Sequence, residues 1–426
     1  MRVGYIVSQY PAPSHTFIRR EIEALRARGV DIRILSVRRP KPEEVLSERD
    51  AASQRETFYV LPPRPRALLS ALGRLAKDRP GRLLSALAGC HRVRNPGARN
   101  FVYAFVYWIE AALVADELGR SGIEHLHCHF VNPASQVALA ASTIAGVPFS
   151  LTLHGMGDFE YPGGTTLAAK LERSSFVASA TEYGVAQAMR LSPRAQWEKL
   201  CVVRCGIDPE ALPEPRPGPE GARPRLVCVS RLSPEKGQIG LLIAFAEARR
   251  RGLDADLVLV GDGPDRAVLE AEVARLGLEA DVTLLGRKSE QDTLTEVARS
   301  DVLVMASFME GLPVAIMEAL ALEVPVIAPR ITGIPELVEE GVTGCLFTAG
   351  KWTELADRMV RLVADPELRR RMGRAGRERI LAEFDVHRAV APLAERFGAP
   401  EPGALAEEDS APGEASSARA AAATLR

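Results

Sequence analysis

The sequence predicts an α/β chain made of two doubly wound, parallel-sheet domains that face each other across a cleft. Three observations predict it. At 426 residues and 46% hydrophobic content, the chain is too long for one ordinary core. Short apolar runs alternate with amphipathic helical stretches in two separate series. Between the series, residues 206–224 read GIDPEALPEPRPGPEGARP, where proline and glycine exclude regular structure.

The first series runs VGYIVS, IRREIEALRARG, VDIRILSV, then HLHCHF, PASQVALAASTIAG and VPFSLTL. Strand, helix, strand in succession demands parallel pairing, because parallel neighbours need a crossover connection. The second series runs RLVCVS, DADLVLVG, DVTLLG, DVLVMAS and VPVIAP, with a helical stretch after each. These patterns define a first domain over 1–205, a linker over 206–224 and a second domain over 225–380. Beyond Phe397, residues 398–426 are rich in Ala, Pro, Glu and Ser and poor in large apolar groups. They are expected to stay disordered, since they bury too little to offset ordering entropy.

Composition narrows the partners. Fifty-four Lys plus Arg against 55 Asp plus Glu leave no basic field, which excludes nucleic acid and favours a small anion. The six cysteines, Cys90, Cys128, Cys201, Cys205, Cys228 and Cys345, sit mostly in apolar strand-like runs, as reduced thiols do. Cys201 and Cys205 are close in sequence but lack a second ligand pair, so they read as packing residues. The start, MRVGYIVSQYP, has no basic and apolar export signal, and no segment nears the roughly 20 apolar residues that span a bilayer. A cytoplasmic protein is expected. Residues 64–99 differ in character, with nine Lys or Arg and a single acid, Asp78, among LLSALGRL and LLSALAG runs at helical spacing. Such a face fits an anionic membrane surface, or a solvated basic helix pair beside the cleft.

Doubly wound sheets bind ligands at the carboxyl ends of their strands, so the candidate residues are sought there. The densest signal is SFMEGLPVAIMEALALEVPVIAP, from Ser307 to Pro329. Glu310 lies in a glycine loop and Glu318 on the helix after it, which is expected to start near Leu312. The amides of Gly311, Leu312 and Val314 at that helix start suit a diphosphate. A carboxylate beside such a site needs hydroxyl donors, which points to a sugar on Glu310 and a ribose on Glu318. In SRLSPEKG, Arg231 leaves a strand and Lys236 enters the next helix, so two cations flank one loop. They can neutralise a departing nucleotide, a task given to a divalent metal in other transferases. No Asp-x-Asp pair stands in a strand-end loop to hold a metal, so none is expected.

His154 ends the strand VPFSLTL, beside Gly155 and Gly157, and can bond a sugar hydroxyl from the first domain. His127 and His129 alternate on one strand without a third ligand, and read as packing or cleft-lining groups. Ser14, His15 and Thr16 start the first helix, with Ser14 as its cap, where an acceptor or the transferred phosphate can meet the helix end. Gly261 and Gly263 in VGDGPDR resemble half of a phosphate loop.

Taken together, SRLSPEKG, VGDGP, EGLPVAIMEAL and ITGIPELVEEGVTGCLF resemble the retaining glycosyltransferases of the GT-B fold, the glycosyltransferase family 4-like enzymes with two Rossmann-like domains. SQYPAPSHTFIRREIEAL, HCHF and SLTLHGMGDF look like the exopolysaccharide, colanic-acid-type branch. The resemblance implies transfer of a hexosyl group from a UDP- or GDP-linked sugar, a co-substrate rather than a cofactor, to a glycan or polyprenyl-diphosphate-linked acceptor. It assigns Arg231 and Lys236 to the donor phosphates, Glu310 and His154 to the sugar and Glu318 to the ribose. It puts the nucleotide base near Gly286 and Arg287, and implies that residues 381–397 form a helix returning to the first domain. Attachment at the inner face of the cell membrane is expected with it. Two other readings share the architecture: a nucleotide-sugar 2-epimerase and a non-catalytic sugar-nucleotide-binding protein. The chain departs from its relatives in the first loop, where Pro-Ala-Pro-Ser-His replaces a glycine pair, at Glu323 before Val-Pro325, and at Thr332, where relatives carry glycine.

Overall fold

The computed structural model describes residues 1–12, 15–215 and 223–399. Ser14, residues 216–222 of the expected linker and residues 400–426 of the expected tail lie outside the described residues. The fold class is the expected one, two parallel sheets with helices on both faces. The first sheet contains β1 (Arg2–Gln9), β2 (Asp31–Arg38), β3 (Phe58–Tyr59), β4 (His125–His129), β5 (Phe149–Leu153), β6 (Val177–Ser179) and β7 (Leu200–Val202). Their order is β3-β2-β1-β4-β5-β6-β7. The second contains β8 (Arg225–Val229), β9 (Asp256–Val260), β10 (Val282–Gly286), β11 (Val302–Val304), β12 (Val326–Pro329) and β13 (Gly344–Phe347), ordered β10-β9-β8-β11-β12-β13.

The central strands are short apolar runs because both of their faces are covered, so no polar side chain has water to meet. Ile6, Cys128 and Leu151 pack on one side of the first sheet, while Val3, Tyr5 and Ala178 pack on the other. The helix Pro133–Ala145 is small and apolar almost throughout, which lets it lie flat on the sheet. Asn132 Oδ1 caps it by accepting from the Ala134 amide, and Gly146 ends it in the left-handed conformation. Strand order reverses between β1 and β4, and again between β8 and β11, so each sheet has a switch point where its loops diverge.

Near the carboxyl end the chain crosses back. The Ile207 amide donates to the Phe384 carbonyl at 2.9 Å, and the Val386 amide to the Ile207 carbonyl at 2.8 Å. Short helices Val386–Ala389 and Ala391–Arg396 then lie on the first sheet, where Leu393 and Phe397 join Tyr5, Ile22 and Phe176. Residues 64–99 form two helices, Pro65–Asp78 and Pro80–Arg92, beside the long helix Ala98–Arg120. Ala71, Leu75, Leu83 and Ala86 turn inward, whereas Leu69, Leu84, Phe101, Val102 and Phe105 are exposed. No described helix is long and apolar enough to cross a membrane.

Candidate active site

One cleft of about 960 Å³ receives loops from both sheets. From the second sheet come Ser230 and Arg231 after β8, Gly261 and Gly263 after β9, Arg287 after β10, and Glu310 to Glu318 after β11. From the first come His15 and Thr16 after β1, and His154 after β5. The structure thus gathers Arg231, Lys236, Glu310, Glu318, Gly311, Leu312 and Val314 with His154 around one space.

Lys236 does not enter the next helix as expected. It ends a short turn, Pro234–Lys236, and Gly237 follows in the left-handed conformation at φ 66°. A side chain at Gly237 would place its Cβ 2.2 Å from the Ala306 carbonyl oxygen, so only glycine lets this loop close on the one after β11. The Phe308 amide, donating to the Glu235 carbonyl at 2.9 Å, ties the same two loops. That brings Lys236 Nζ to 2.8 Å from Glu310 Oε1, which also accepts from Ser307 Oγ at 2.6 Å.

The helix bearing Glu318 starts at Val314, two residues later than expected, with Pro313 as its extended cap residue. Glu318 is buried and accepts from Arg20 Nη2 at 2.6 Å, across the cleft. Burial pushes its carboxyl above the usual range, and the Arg20 charge opposes that rise. Gly311 also serves the opposite domain. It pairs with Gly155 as an isolated antiparallel bridge, and a Cβ on Gly311 would stand 1.6 Å from the His154 carbonyl oxygen.

His154 sits between the Phe17 and Phe130 rings, at centroid distances of 4.7 and 4.6 Å. Its Nε2 is 2.8 Å from His129 Nδ1, and its Nδ1 is 3.8 Å from Cys205 Sγ. Burial, with His129 and His15 nearby, holds the imidazole well below 6.5, so it is neutral at pH 7. His129 Nε2 lies 3.4 Å from Glu21 Oε1, which accepts from Tyr5 Oη at 2.8 Å. Among the described residues His129 Nε2 is buried and makes no hydrogen bond.

Several expectations need correction. The first helix, Thr16–Ala27, has His15 at its cap position without a side-chain capping bond, and Ser14, the expected cap, lies outside the described residues. Gly286 does not line the cleft. Its carbonyl accepts from the Gly261 amide at 3.0 Å, closing β9 against β10. His127 and His129 do have a third group beside them, since Glu21 arrives from the first helix to make a buried trio. Sequence spacing hides it because Glu21 is brought in by the fold. The nitrogens of His127 are bonded to Ser150 Oγ at 2.7 Å and Thr152 Oγ1 at 2.9 Å, so its bonding is complete without a metal.

Two residues that hold site groups in place, Asp158 and Arg20, escaped the sequence reading. Asp158 accepts from the amides of Val131, His154 and Gly155, at 2.6, 2.7 and 3.3 Å, and pins the loop that carries His154. An acid four residues after the histidine in HGMGD is the local sign of such a turn. Arg20 has no local sign, because its partners lie 298 and 270 residues away.

Two Rossmann-like domains whose strand-end loops meet across one cleft are the GT-B arrangement. Residues 214–379 match the family model "Glycosyl transferases group 1". Alpha-maltose-1-phosphate synthase of Mycolicibacterium smegmatis is 30% identical over 295 residues, covering 62% of this chain and 75% of that one. Alpha-D-kanosaminyltransferase of Streptomyces kanamyceticus is 27% identical over 382 residues, covering 84% and 92%. The crystal structure of Anabaena HepE in complex with UDP and glucose superposes with a TM-score of 0.71 at 21% identity, over 94% of this chain and all of that one. The chain belongs to the group 1 glycosyltransferases. It is an enzyme of glycosyl transfer.

Proposed function

We propose that the protein is a metal-independent, retaining hexosyltransferase. It takes its sugar from a UDP- or GDP-linked donor and passes it to a glycan or polyprenyl-diphosphate-linked acceptor in exopolysaccharide assembly. The observation that carries this reading is the convergence of two cations, Arg231 and Lys236, and two carboxylates, Glu310 and Glu318, on one cleft. Paired cations suit an anionic leaving group, and carboxylates suit hydroxyls. The donor class agrees with that of relatives, since one from Mycobacterium tuberculosis is a GDP-mannose-dependent mannosyltransferase, and Anabaena HepE was crystallised with UDP-glucose.

In this mechanism the acceptor hydroxyl attacks the anomeric carbon from the face that the nucleotide leaves. The departing phosphate oxygen takes the hydroxyl proton, so configuration is kept. Arg231 and Lys236 stabilise the charge that develops on that oxygen. Glu310 orients the sugar, Glu318 the ribose, and His154 Nδ1 accepts a sugar hydroxyl in place of its weak thiol contact. The amides of Gly311, Leu312 and Val314 face the diphosphate, Arg287 stands by the base, and Gly261 and Gly263 keep the neighbouring turn tight. His15 and Thr16 meet the acceptor. Attachment to an anionic membrane at the inner face of the cell is part of the same reading, supported by Leu69, Leu84, Phe101, Val102 and Phe105, exposed among basic side chains.

The test is an assay of UDP- and GDP-sugars with a polyprenyl-diphosphate glycan in excess chelator, with the product's anomeric configuration read by NMR. Full turnover and a product anomer equal to the donor's are expected. Loss of turnover that magnesium restores contradicts metal independence, and an inverted anomer contradicts retention.

A further inference from the structure

Three helices meet at one buried guanidinium. Arg20, on the first helix, places Nη2 2.6 Å from Glu318 Oε1 and 2.6 Å from Glu290 Oε1. Glu290 begins the helix Glu290–Ala298 and is also bonded by Arg19. The Arg20 side chain is only 5% exposed and that of Glu318 is 9%. Both carboxylates come from the second domain and the arginine from the first, so Glu318 is half built by the opposite domain.

We propose that Arg20 is a positioning residue for the nucleotide: its guanidinium bridges Glu318 and Glu290 and holds Glu318 oriented to receive the ribose hydroxyls, so the donor site is complete only when the two domains meet. This rests on the reading of Glu318 as the ribose acceptor. A carboxylate has about four acceptor positions, so one oxygen can hold the guanidinium while the remaining lone pairs take the ribose diol. A protonated acid there would lose acceptor capacity and present a donor instead.

The groups that face Glu318 are Arg20 from the first helix and Glu290 from the helix Glu290–Ala298. Burial and the Glu290 charge both favour the protonated form of Glu318, and Arg20 is the group that opposes them. Without Arg20, two carboxylates share a buried junction with no cation between them, and one is driven to take up a proton. Among the described residues Arg20 Nη1 is buried and has no partner, which leaves a donor unused at the same junction.

The test uses the full chain and measures UDP and GDP binding by calorimetry from pH 6 to pH 9, with donor KM and kcat alongside. Wild type should bind with little pH dependence. Arg20→Met should weaken binding about tenfold at pH 7 and regain affinity as pH rises, because burial and the Glu290 charge then raise the Glu318 carboxyl with no cation to oppose them. The loss should fall on KM more than on kcat. Arg20→Lys, which keeps the charge, should restore the flat profile. Should Arg20→Met fail to fold, Arg20→Gln carries the same comparison. A loss that is uniform with pH and not rescued by lysine would reduce Arg20 to a structural group and overturn the proposal. Glu318→Gln separates the two readings. If it leaves nucleotide affinity unchanged, the ribose assignment itself fails. If it weakens binding while Arg20→Met binds like wild type at every pH, only the role of Arg20 fails.

Discussion

Lys236 Nζ lies 2.8 Å from Glu310 Oε1, so the phosphate-side cation and the sugar-side acid already form a pair. An incoming donor must share or divide that pair, and each partner then faces the part of the ligand that suits its charge. Replacing Lys236 by alanine removes a charge that acts on the leaving phosphate. The expected result is a fall in kcat of roughly a hundredfold, about 3 kcal/mol of barrier, with the protein still folded. Steady-state kinetics on the variant check this, and turnover near wild type would remove Lys236 from the mechanism.

Gly311 tests the meeting of the domains. A methyl group there would overlap the His154 carbonyl oxygen, so Gly311→Ala must push the β5 and β11 loops apart. Turnover should drop at least about tenfold, since small misplacements of reacting groups are costly, while the melting temperature of the folded chain moves little. Unchanged kinetics would mean that the Gly155–Gly311 bridge is not kept during turnover.

Glu323 and Thr332 both have positive φ, 60° and 45°, where glycine is favoured. Glu323 follows the helix Val314–Ala321, and the Val324 amide reaches back to the Ala319 carbonyl at 2.8 Å, the usual helix-ending turn. Strain at such a position is of order 1–3 kcal/mol, against up to about 1 kcal/mol of extra chain entropy for glycine. Glu323→Gly should therefore stabilise the protein by about 1 kcal/mol in urea titration. Thr332→Gly should do the same or better, because a β-branched residue fits this conformation worst.

The buried histidines make the first domain acid-sensitive. Burial holds His15 and His125 at about 4, and His127 and His154 well below 6.5. The unfolded chain binds protons near 6.5 that the folded chain refuses. Stability is thus fully present above pH 6.5 and declines as pH falls towards 4, by about 2 kcal/mol at pH 5 for each of His15 and His125. Thermal melts at pH 7 and pH 5 should show the loss, and His125→Gln should lessen the slope.

The exposed apolar side chains beside the basic helices give a test at the surface. Leu69 and Leu84 are 71% and 67% exposed, so Leu69→Asp with Leu84→Asp should leave the fold intact. The double variant should fail to float with anionic liposomes at low salt, conditions in which the wild type floats. Equal recovery of both proteins in the lipid fraction, or of neither, would contradict a membrane role for this face.

Much of this was legible from local pattern. The alternation of apolar runs and amphipathic helices gave both sheets, because burial on two faces writes itself directly into composition. Glu310, Glu318, Arg231 and Lys236 were legible because strand-end loops carry their charges in short motifs. What could not be read was whatever depends on the two domains meeting. Arg20 reads as an ordinary helix-surface cation until Glu318 and Glu290 are brought to it, and Glu21 reads as its acidic neighbour until β4 supplies His129. The start of the helix at Val314 was missed by two residues, since Pro313 is tolerated both within a first turn and just before it.

The backbone exchange between Ile207 and the pair Phe384 and Val386 means that the polypeptide passes between its halves twice, at one place, with the two passes bonded side by side. A doubled strap of this kind resists sliding and twisting far more than bending. Swinging about that line, like a cover on its spine, is the relative movement that such a strap leaves easiest.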